Sequence, residues 1–398
     1  MTLNELAANL GITDELSDSL RKSYEKLGGS GKLYDREYLL KIQNEYSVFD
    51  EDVFLALTES FDAFSKNENL VKWAMLLRQV LLDSEDHDEL YSVPMPSMDT
   101  SAGRDMIALF PLLSFFDEAL EKYEKIGFSR KEALKELSFF GKCTARSPEG
   151  RIYFPSGLFG WYALYTYATI FRHGVLNFEI TEFFDSVVLL ENQKNGEYAI
   201  LMKEGLFHRS GNFLQSAGLS EDTDGSFEAT FEENDTEYVG YEAKDGYAIN
   251  ELKKFPKSEW KKVLEKGDKA VSLHIPRGVD VSCESVKKTV SEGMKIVRER
   301  YGENIRFAFC RSWLLSPNIS QCLNSSSKII EFSNVYDRFP IVSHGKELMS
   351  FLFGKSVQNY EELPENTSLQ RKIKKIYLDG GYIYAGAGII TNPDFYKC

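Results

Sequence analysis

Apolar residues recur at helical spacing up to about Ile170 and then change to strict alternation near Gly174. Val53, Leu57, Phe61 and Phe64 share one helix face, with Phe54 beside them. Leu70, Trp73, Ala74, Leu77 and Leu81 share another. Phe110 to Ile126 predicts a further helix. Thr2 with Glu5, and Ser129 with Glu132, have the spacing of a capping box, in which each side chain satisfies the other residue's backbone N–H. Ser92 to Gly103, with two prolines and a glycine, reads as a loop. The stripes predict helix-on-helix core and assign no binding role to any single aromatic.

Beyond Gly174, Val175–Ile180, Ser186–Glu191 and Glu197–Lys203 predict strands, and Asn195-Gly196 predicts a hairpin turn. Glu221 to Asp245 carries ten acidic side chains against Lys244 alone, while Phe227, Ala229 and Phe231 alternate with polar residues. It reads as an edge hairpin charged on its wet face, or as an acidic rim that attracts an amine. Ser258 predicts the start of a short helix bearing Trp260, Val263 and Leu264, ended by Gly267. Ser316 to Asp337 predicts one or two helices. Thr367 with Gln370 caps another, and Tyr382 to Ile390 reads as a closing strand.

The stretch Lys269 to Leu315 carries the candidate chemistry. Ala270–Ile275 is an apolar run suited to a buried strand, stopped by Pro276 and Gly278. From Ser282 the period becomes helical through Val286, Val290, Met294 and Val297. Gly302 ends that helix, and Ile305–Leu315 predicts a second buried strand. A helix between two such strands implies a parallel pair with a right-handed crossover, and ligands of open α/β sheets sit at the strands' carboxyl ends. That place is lined by His274, Ile275, Pro276, Arg277 and Gly278, and by Cys310, Arg311, Ser312 and Trp313. Helix N-termini attract anions, Gly278 lets backbone approach a ligand, Arg277 adds charge, and Ser282 is a candidate N-cap. Ser285, Thr289 and Gly293 add a face of small residues. The arrangement fits a diphosphate laid across the helix start, or a tightly packed strand, loop and helix without a ligand.

Composition narrows the class. The 398 residues suffice for two or three domains, and 43% hydrophobic with 13% aromatic content supports a large core. A net charge of −14 argues against a nucleic-acid partner and disfavours an anionic membrane surface. Five cysteines without a paired motif read as reduced thiols in a cytoplasmic protein, and five scattered histidines give no metal-ligand spacing. MTLNELAANL carries no secretory signal pattern. Ile152 to Phe171 is uncharged over a membrane-spanning length, but Pro155, Gly157, Gly160 and four tyrosines point to a buried segment with an aromatic helix.

Several landmarks occur in order: FRHGVLNFE at Phe171–Glu179, EWKKVLEKGD at Glu259–Asp268, VSLHIPRG at Val271–Gly278, CRSWLL at Cys310–Leu315, then TSLQRKI and GGYIYAGAG. With them the chain resembles a family of two-domain bacterial acyltransferases that join a helical N-terminal domain to a GNAT-like C-terminal domain. The resemblance implies an α+β fold, with an all-α domain over residues 1–172 and a mixed α/β acyl-CoA-binding domain over residues 173–398. It implies acetyl-CoA or another acyl-CoA as donor, its diphosphate on the loop after the fourth strand and its pantetheine between the fourth and fifth strands. On this sequence those places are Ile275 to Ser285 and Cys310 to Trp313. The coenzyme-contact candidates are therefore Ile275, Pro276, Arg277, Gly278, Ser282, Ser285, Arg311 and Trp313, with Lys328 within reach of a phosphate. IPRGVDVS departs from the usual phosphate loop by its single glycine and by Asp280. Arg311 and Lys328 stand where the family often has His and Asn.

Acyl transfer needs a base for the acceptor, a polarised carbonyl and a proton for the departing thiolate. His274 suits the base, since histidine as a residue type ordinarily changes charge near neutral pH, or is a buried imidazole bonded to backbone. Glu179 is a second candidate through a bridging water. Ser312 or Tyr336 could protonate the thiolate, and the Ile275 N–H could polarise the carbonyl. Cys310, inside FAFC, reads as buried strand filler, which speaks against an acyl-enzyme, and the resemblance to GNAT-type enzymes implies direct transfer in a ternary complex. The partners implied are acyl-CoA and a small-molecule amine or hydroxyl acceptor, with no protein partner evident. A non-catalytic acyl-CoA-binding or sensing module is the other class that fits.

Overall fold

The computed structural model describes residues 1–27, 33–84, 87–96, 103–354 and 359–397. Caps set the helix starts of the first unit, Met1–Phe171. Thr2 and Glu5 close a reciprocal box before Leu3–Asn9, and Ser129 and Glu132 do so before Arg130–Leu137. The helices Glu51–Phe64 and Glu68–Asp83 bury Leu57, Phe61, Phe64, Trp73, Ala74 and Leu77, as their spacing predicts. Phe110 packs on Phe64 and Phe61 at ring centroid distances of 4.5 and 5.4 Å. The single helix expected over 110–126 is two, Leu109–Leu113 and Phe116–Ile126. Ser114, at the break, donates its hydroxyl to the Pro111 carbonyl at 2.6 Å, a local bond that competes with helix continuation. Residues 97–102 of the expected loop lie outside the described residues. Ile152–Phe171 holds the helix Phe159–Tyr167, and β1 (Ala145–Arg146) pairs with β2 (Ile152–Tyr153). Among the described residues no helix is long and apolar enough to cross a membrane.

The second unit, Arg172–Cys398, is built on two sheets. Its strands are β3 (Ile170–His173), β4 (Leu176–Glu182), β5 (Val187–Asn192), β6 (Tyr198–Met202), β7 (Glu204–Phe207), β8 (Phe227–Glu233), β9 (Glu237–Lys244), β10 (Tyr247–Pro256), β11 (Trp260–Glu265), β12 (Lys269–His274), β13 (Ala308–Ser312), β14 (Asp337–Pro340) and β15 (Gly386–Ile390). One sheet runs β14-β15-β13-β12-β4-β3. The other runs β11-β5-β6-β9-β8-β7, with β10 added on β9. Phe309, Phe339, Ala387 and Ile389 of the first sheet meet Val187, Leu189, Ile200 and Met202 of the second in one core. The helix Cys283–Arg300 covers the opposite face of the first sheet. There Gly293 lies so close to Phe178 that a Cβ would come within 2.1 Å of the ring.

Two expectations are corrected here. Trp260, Val263 and Leu264 lie on a strand, not a helix. The β11–β5 register shifts between Lys262 and Leu264, and this bulge turns both Val263 and Leu264 to the core. A bulged strand thus imitates helical spacing. The acidic hairpin is not at an edge, because β9 pairs with β10 along one side and with β8 and β6 along the other. Its acids face lysines instead: Glu233 bonds Lys257 and Lys262 at 2.8 and 2.9 Å, and Glu237 bonds Lys254 at 2.8 Å.

Candidate functional site

β12 and β13 run parallel, as the strand–helix–strand pattern predicts, but they pair only at Val271–Ala308 and Ser272–Phe309. Each then continues with its outer neighbour alone. β12 stays on β4 as far as His274–Asn177, and β13 stays on β15 as far as Ser312–Gly386. The two central strands therefore part at their carboxyl ends, leaving inward-facing N–H and C=O groups outside the ladder. Backbone groups outside the ladder there can bond a ligand that enters the gap.

One lip of the gap carries His274. Alternation along β4 and β12 puts Ser272, His274 and Glu179 on the face away from the helix Cys283–Arg300, because Phe178 and its strand partner Leu273 face that helix. His274 Nε2 lies 2.6 Å from Glu179 Oε2 and 3.3 Å from Ser272 Oγ. A carboxylate only accepts, so Nε2 carries the hydrogen, which in the neutral imidazole leaves the lone pair to Nδ1. Glu179 is mostly buried and the His274 side chain is 34% exposed. The two base candidates thus form one carboxylate–imidazole pair.

Pro276 lacks a backbone donor and Gly278 has φ +79°, a left-handed conformation that favours glycine, so the strand ends here. Nothing would meet a Cβ on Gly278 within 4 Å, so the loop is open at this point. Asp280 then gathers the helix start. Its carboxylate accepts from Ser282 N–H at 3.2 Å, Ser282 Oγ at 2.8 Å, Ser285 Oγ at 3.0 Å and Lys328 Nζ at 2.8 Å. The Lys328 ammonium, then the two serine hydroxyls, hold the carboxyl well below the usual range. Ser282 stands at the N-cap position, but its hydroxyl makes no capping bond, because Asp280 takes it. Ser282, Ser285 and Lys328 are therefore brought together, around a carboxylate of the chain itself. The remaining small residues serve packing: Gly293 fits Phe178, and Thr289 Oγ1 accepts from Val175 N–H at 3.3 Å.

On the other lip, Ser312 Oγ accepts from Leu314 N–H at 3.1 Å and Trp313 packs against a neighbouring apolar cluster. Cys310 is fully buried, and burial pushes its thiol up to about 12. Tyr336 is buried beside Cys310 and Tyr396, its hydroxyl has no hydrogen-bond partner among the described residues, and burial holds its phenol well above the usual range. Arg311 follows Phe309 onto the face away from the helix Cys283–Arg300. Its Nε is 3.5 Å from Asp185 Oδ1 and its guanidinium lies 5.3 Å from the Phe184 ring centroid. Among the described residues no group of three or more His, Cys, Asp or Glu could hold a metal ion.

The family model of the GNAT-like C-terminal domain matches residues 170–390. The chain belongs to that family. Solved structures with the same fold cover 98% of this chain and 99% of their own. They include an acyltransferase with decanoyl-CoA and teicoplanin, at 13% identity and TM-score 0.65. Others are a mutant acyltransferase with octanoyl-CoA, at 12% identity and TM-score 0.65, and an acyltransferase with decanoyl-CoA, at 14% and 0.63. No curated protein matches the sequence.

Within the GNAT-like domain, sequence reasoning missed Asp185. It sits in the β4–β5 turn, 6% exposed, with Oδ2 making no hydrogen bond among the described residues. Burial raises its carboxyl to about 6, against the opposing pull of Arg311. The only local signal was an acid inside the aromatic run FFDS, which does not announce a partner on β13.

Proposed function

We propose that the chain is an acyltransferase moving an acyl group from coenzyme A to a small-molecule amine or hydroxyl, by direct transfer in a ternary complex. The observation that carries this reading is the early end of the β12–β13 ladder, directly before an anion-attracting helix start. The pantetheine arm would use the backbone of the gap beyond the end of the ladder. The diphosphate would lie on Ile275, Pro276, Arg277 and Gly278 and on the N–H groups of the helix, with Ser282, Ser285, Lys328 and Trp313 at its borders. Membership of the GNAT-like family and the shared fold with acyltransferases bound to octanoyl-CoA and decanoyl-CoA support an acyl-CoA donor. Those donors put medium acyl chains beside acetyl-CoA as substrates to test. The teicoplanin complex supports a small-molecule acceptor. Residues 1–172 would form the helical domain and 173–398 the acyltransferase domain, in a cytoplasmic protein.

In the reaction, His274 Nδ1 takes the proton of the attacking amine or hydroxyl, directly or through water, while Glu179 holds the imidazole and stabilises its charged form. The acceptor's lone pair forms the new bond to the thioester carbon, the Ile275 N–H offers a bond to the oxyanion, and the C–S bond breaks with its electrons on sulfur. The thiolate then takes a proton from the imidazolium, directly or with the Ser312 hydroxyl as a relay that gives one proton and receives another, so that His274 returns to its neutral form. Tyr336 is less suited to that role, because its hydroxyl lies among Cys310 and Tyr396 in the core.

A non-catalytic acyl-CoA module remains the second reading, favoured by Asp280, whose carboxylate takes up the groups a phosphate would use. Release of free thiol from acetyl-CoA and octanoyl-CoA with an amine and hydroxyl panel tests both. Turnover with any acceptor supports the enzyme. Tight coenzyme A binding with no turnover across the panel supports the module, and no binding by calorimetry removes both.

A further inference from the structure

Arg311 faces the same side of the sheet as the His274–Glu179 pair, across the gap. Ser272 and Phe309 are strand partners, so the residues two further on, His274 and Arg311, share their face. Each lip thus carries a side chain backed by a carboxylate: His274 by Glu179, and Arg311 by Asp185.

The second pair is built differently from a closed salt bridge. Arg–carboxylate pairs that serve stability close in a bidentate fork. Here the nearest approach of Asp185 is Oδ1 to Nε, at 3.5 Å, and Phe184 supports the guanidinium at 5.3 Å. Neither Nη makes a hydrogen bond among the described residues, and the side chain is 42% exposed. Asp185 is meanwhile buried, and its Oδ2 makes no hydrogen bond among the described residues, a costly arrangement that calls for a reason. The arginine is held from behind, and its two-pronged end remains for an oxyanion.

We propose that Arg311, oriented by Asp185 and Phe184, is an acceptor-binding residue that recognises a carboxylate or phosphate group on the acceptor. This rests on the acyl-transfer reading, which makes the gap a reaction site. In an acidic protein, this cation draws an anionic group to the lip facing the base. An acceptor bearing an amine or hydroxyl and a nearby oxyanion is thereby selected over a neutral analogue. Asp185 acts through Arg311 as a positioning residue.

The test is calorimetric titration of the coenzyme A-saturated protein with benzoate and with benzamide. Wild type should bind benzoate at least tenfold more tightly than benzamide. Arg311→Gln should abolish that preference, and Asp185→Asn should reduce it severalfold, with coenzyme A affinity unchanged in both. Arg311→Gln leaves the Asp185 carboxylate buried without its cation. The double variant Arg311→Gln with Asp185→Asn removes both charges, and it must also lack the preference while melting as a folded protein. Equal binding of the two probes by wild type, or a benzoate preference surviving in the folded double variant, overturns the proposal. Loss of coenzyme A affinity in Arg311→Gln also overturns it, by moving Arg311 to the donor side. Failure of wild type to bind coenzyme A at all instead strikes the acyl-transfer reading.

Discussion

His274 Nε2 and Glu179 Oε2 lie 2.6 Å apart across the β4–β12 pair, although 95 residues separate them in the chain. Glu179 stands opposite Ser272 in the antiparallel register, so His274 reaches it diagonally, by leaning back along its strand. The bond fixes the tautomer and places the basic nitrogen, Nδ1, away from the carboxylate.

The proposed base, held this way, should be sensitive to both members of the pair. His274→Gln is expected to lower kcat by roughly 100-fold or more while coenzyme A affinity stays level. Glu179→Gln should cost less, because the amide can still accept from Nε2 but no longer balances an imidazolium. Steady-state rates together with calorimetric titration check this. Full turnover in His274→Gln, with only a lower melting temperature, would make the pair structural.

How much of the fold and site is legible in the sequence depends on the range of the interaction. The run from Lys269 to Leu315 can be read because its strand, loop and helix are set by residues a few positions apart: Pro276, Gly278 and the stripe Val286, Val290, Met294, Val297. The boxes at Thr2, Ser129 and Thr367 are legible for the same reason. The Glu179–His274 and Asp185–Arg311 pairs follow from strand register and from a turn crossing a sheet face, which local periodicity does not contain. Asp280 is visible as an oddity in the loop, but its grip on Lys328 needs the helix Lys328–Ser333 to be placed. β11 is misread because a bulge changes the phase of alternation.

Asp280 makes the phosphate loop testable. Its carboxylate competes with any phosphate for Ser282, Ser285 and Lys328. Asp280→Asn keeps an acceptor for the Ser282 N–H but removes the charge. Coenzyme A affinity should rise, by roughly tenfold at low salt, with the gain shrinking as ionic strength increases. Titrations at two salt concentrations measure this. Unchanged or weaker binding would mean that the carboxylate organises the loop for the coenzyme and does not oppose it.

Cys310 lies beside the gap, yet its chemistry is muted. Burial raises its thiol to about 12, so almost no thiolate is present near neutral pH. Cys310→Ala should keep most activity, with a stability loss on the order of 1 kcal/mol for the small cavity. Incubation with acetyl-CoA alone should leave the intact mass unchanged. A stoichiometric acetyl adduct lost in Cys310→Ala would replace direct transfer by a ping-pong route.

Asp185 gives the protein a pH signature. Burial lifts its carboxyl to about 6 in the folded chain, from an ordinary value of 3.8, so between these values the native state holds a proton that the unfolded state has released. Stability then falls as pH rises through that window, and the contribution present below about pH 4 is gone above about pH 6. A rise of that size corresponds to about 3 kcal/mol, set by burial and already reduced by the opposing attraction of Arg311. Asp185→Asn cannot titrate, so its stability should lack this descending segment. Denaturant unfolding of wild type and Asp185→Asn at several pH values from 4 to 7 isolates it, since the other acids are common to both. The wild-type-minus-variant difference should decline steadily with pH. A flat difference would place the Asp185 pKa near its unfolded value, and an increasing one would mean that Arg311 outweighs burial and holds the carboxylate ionised.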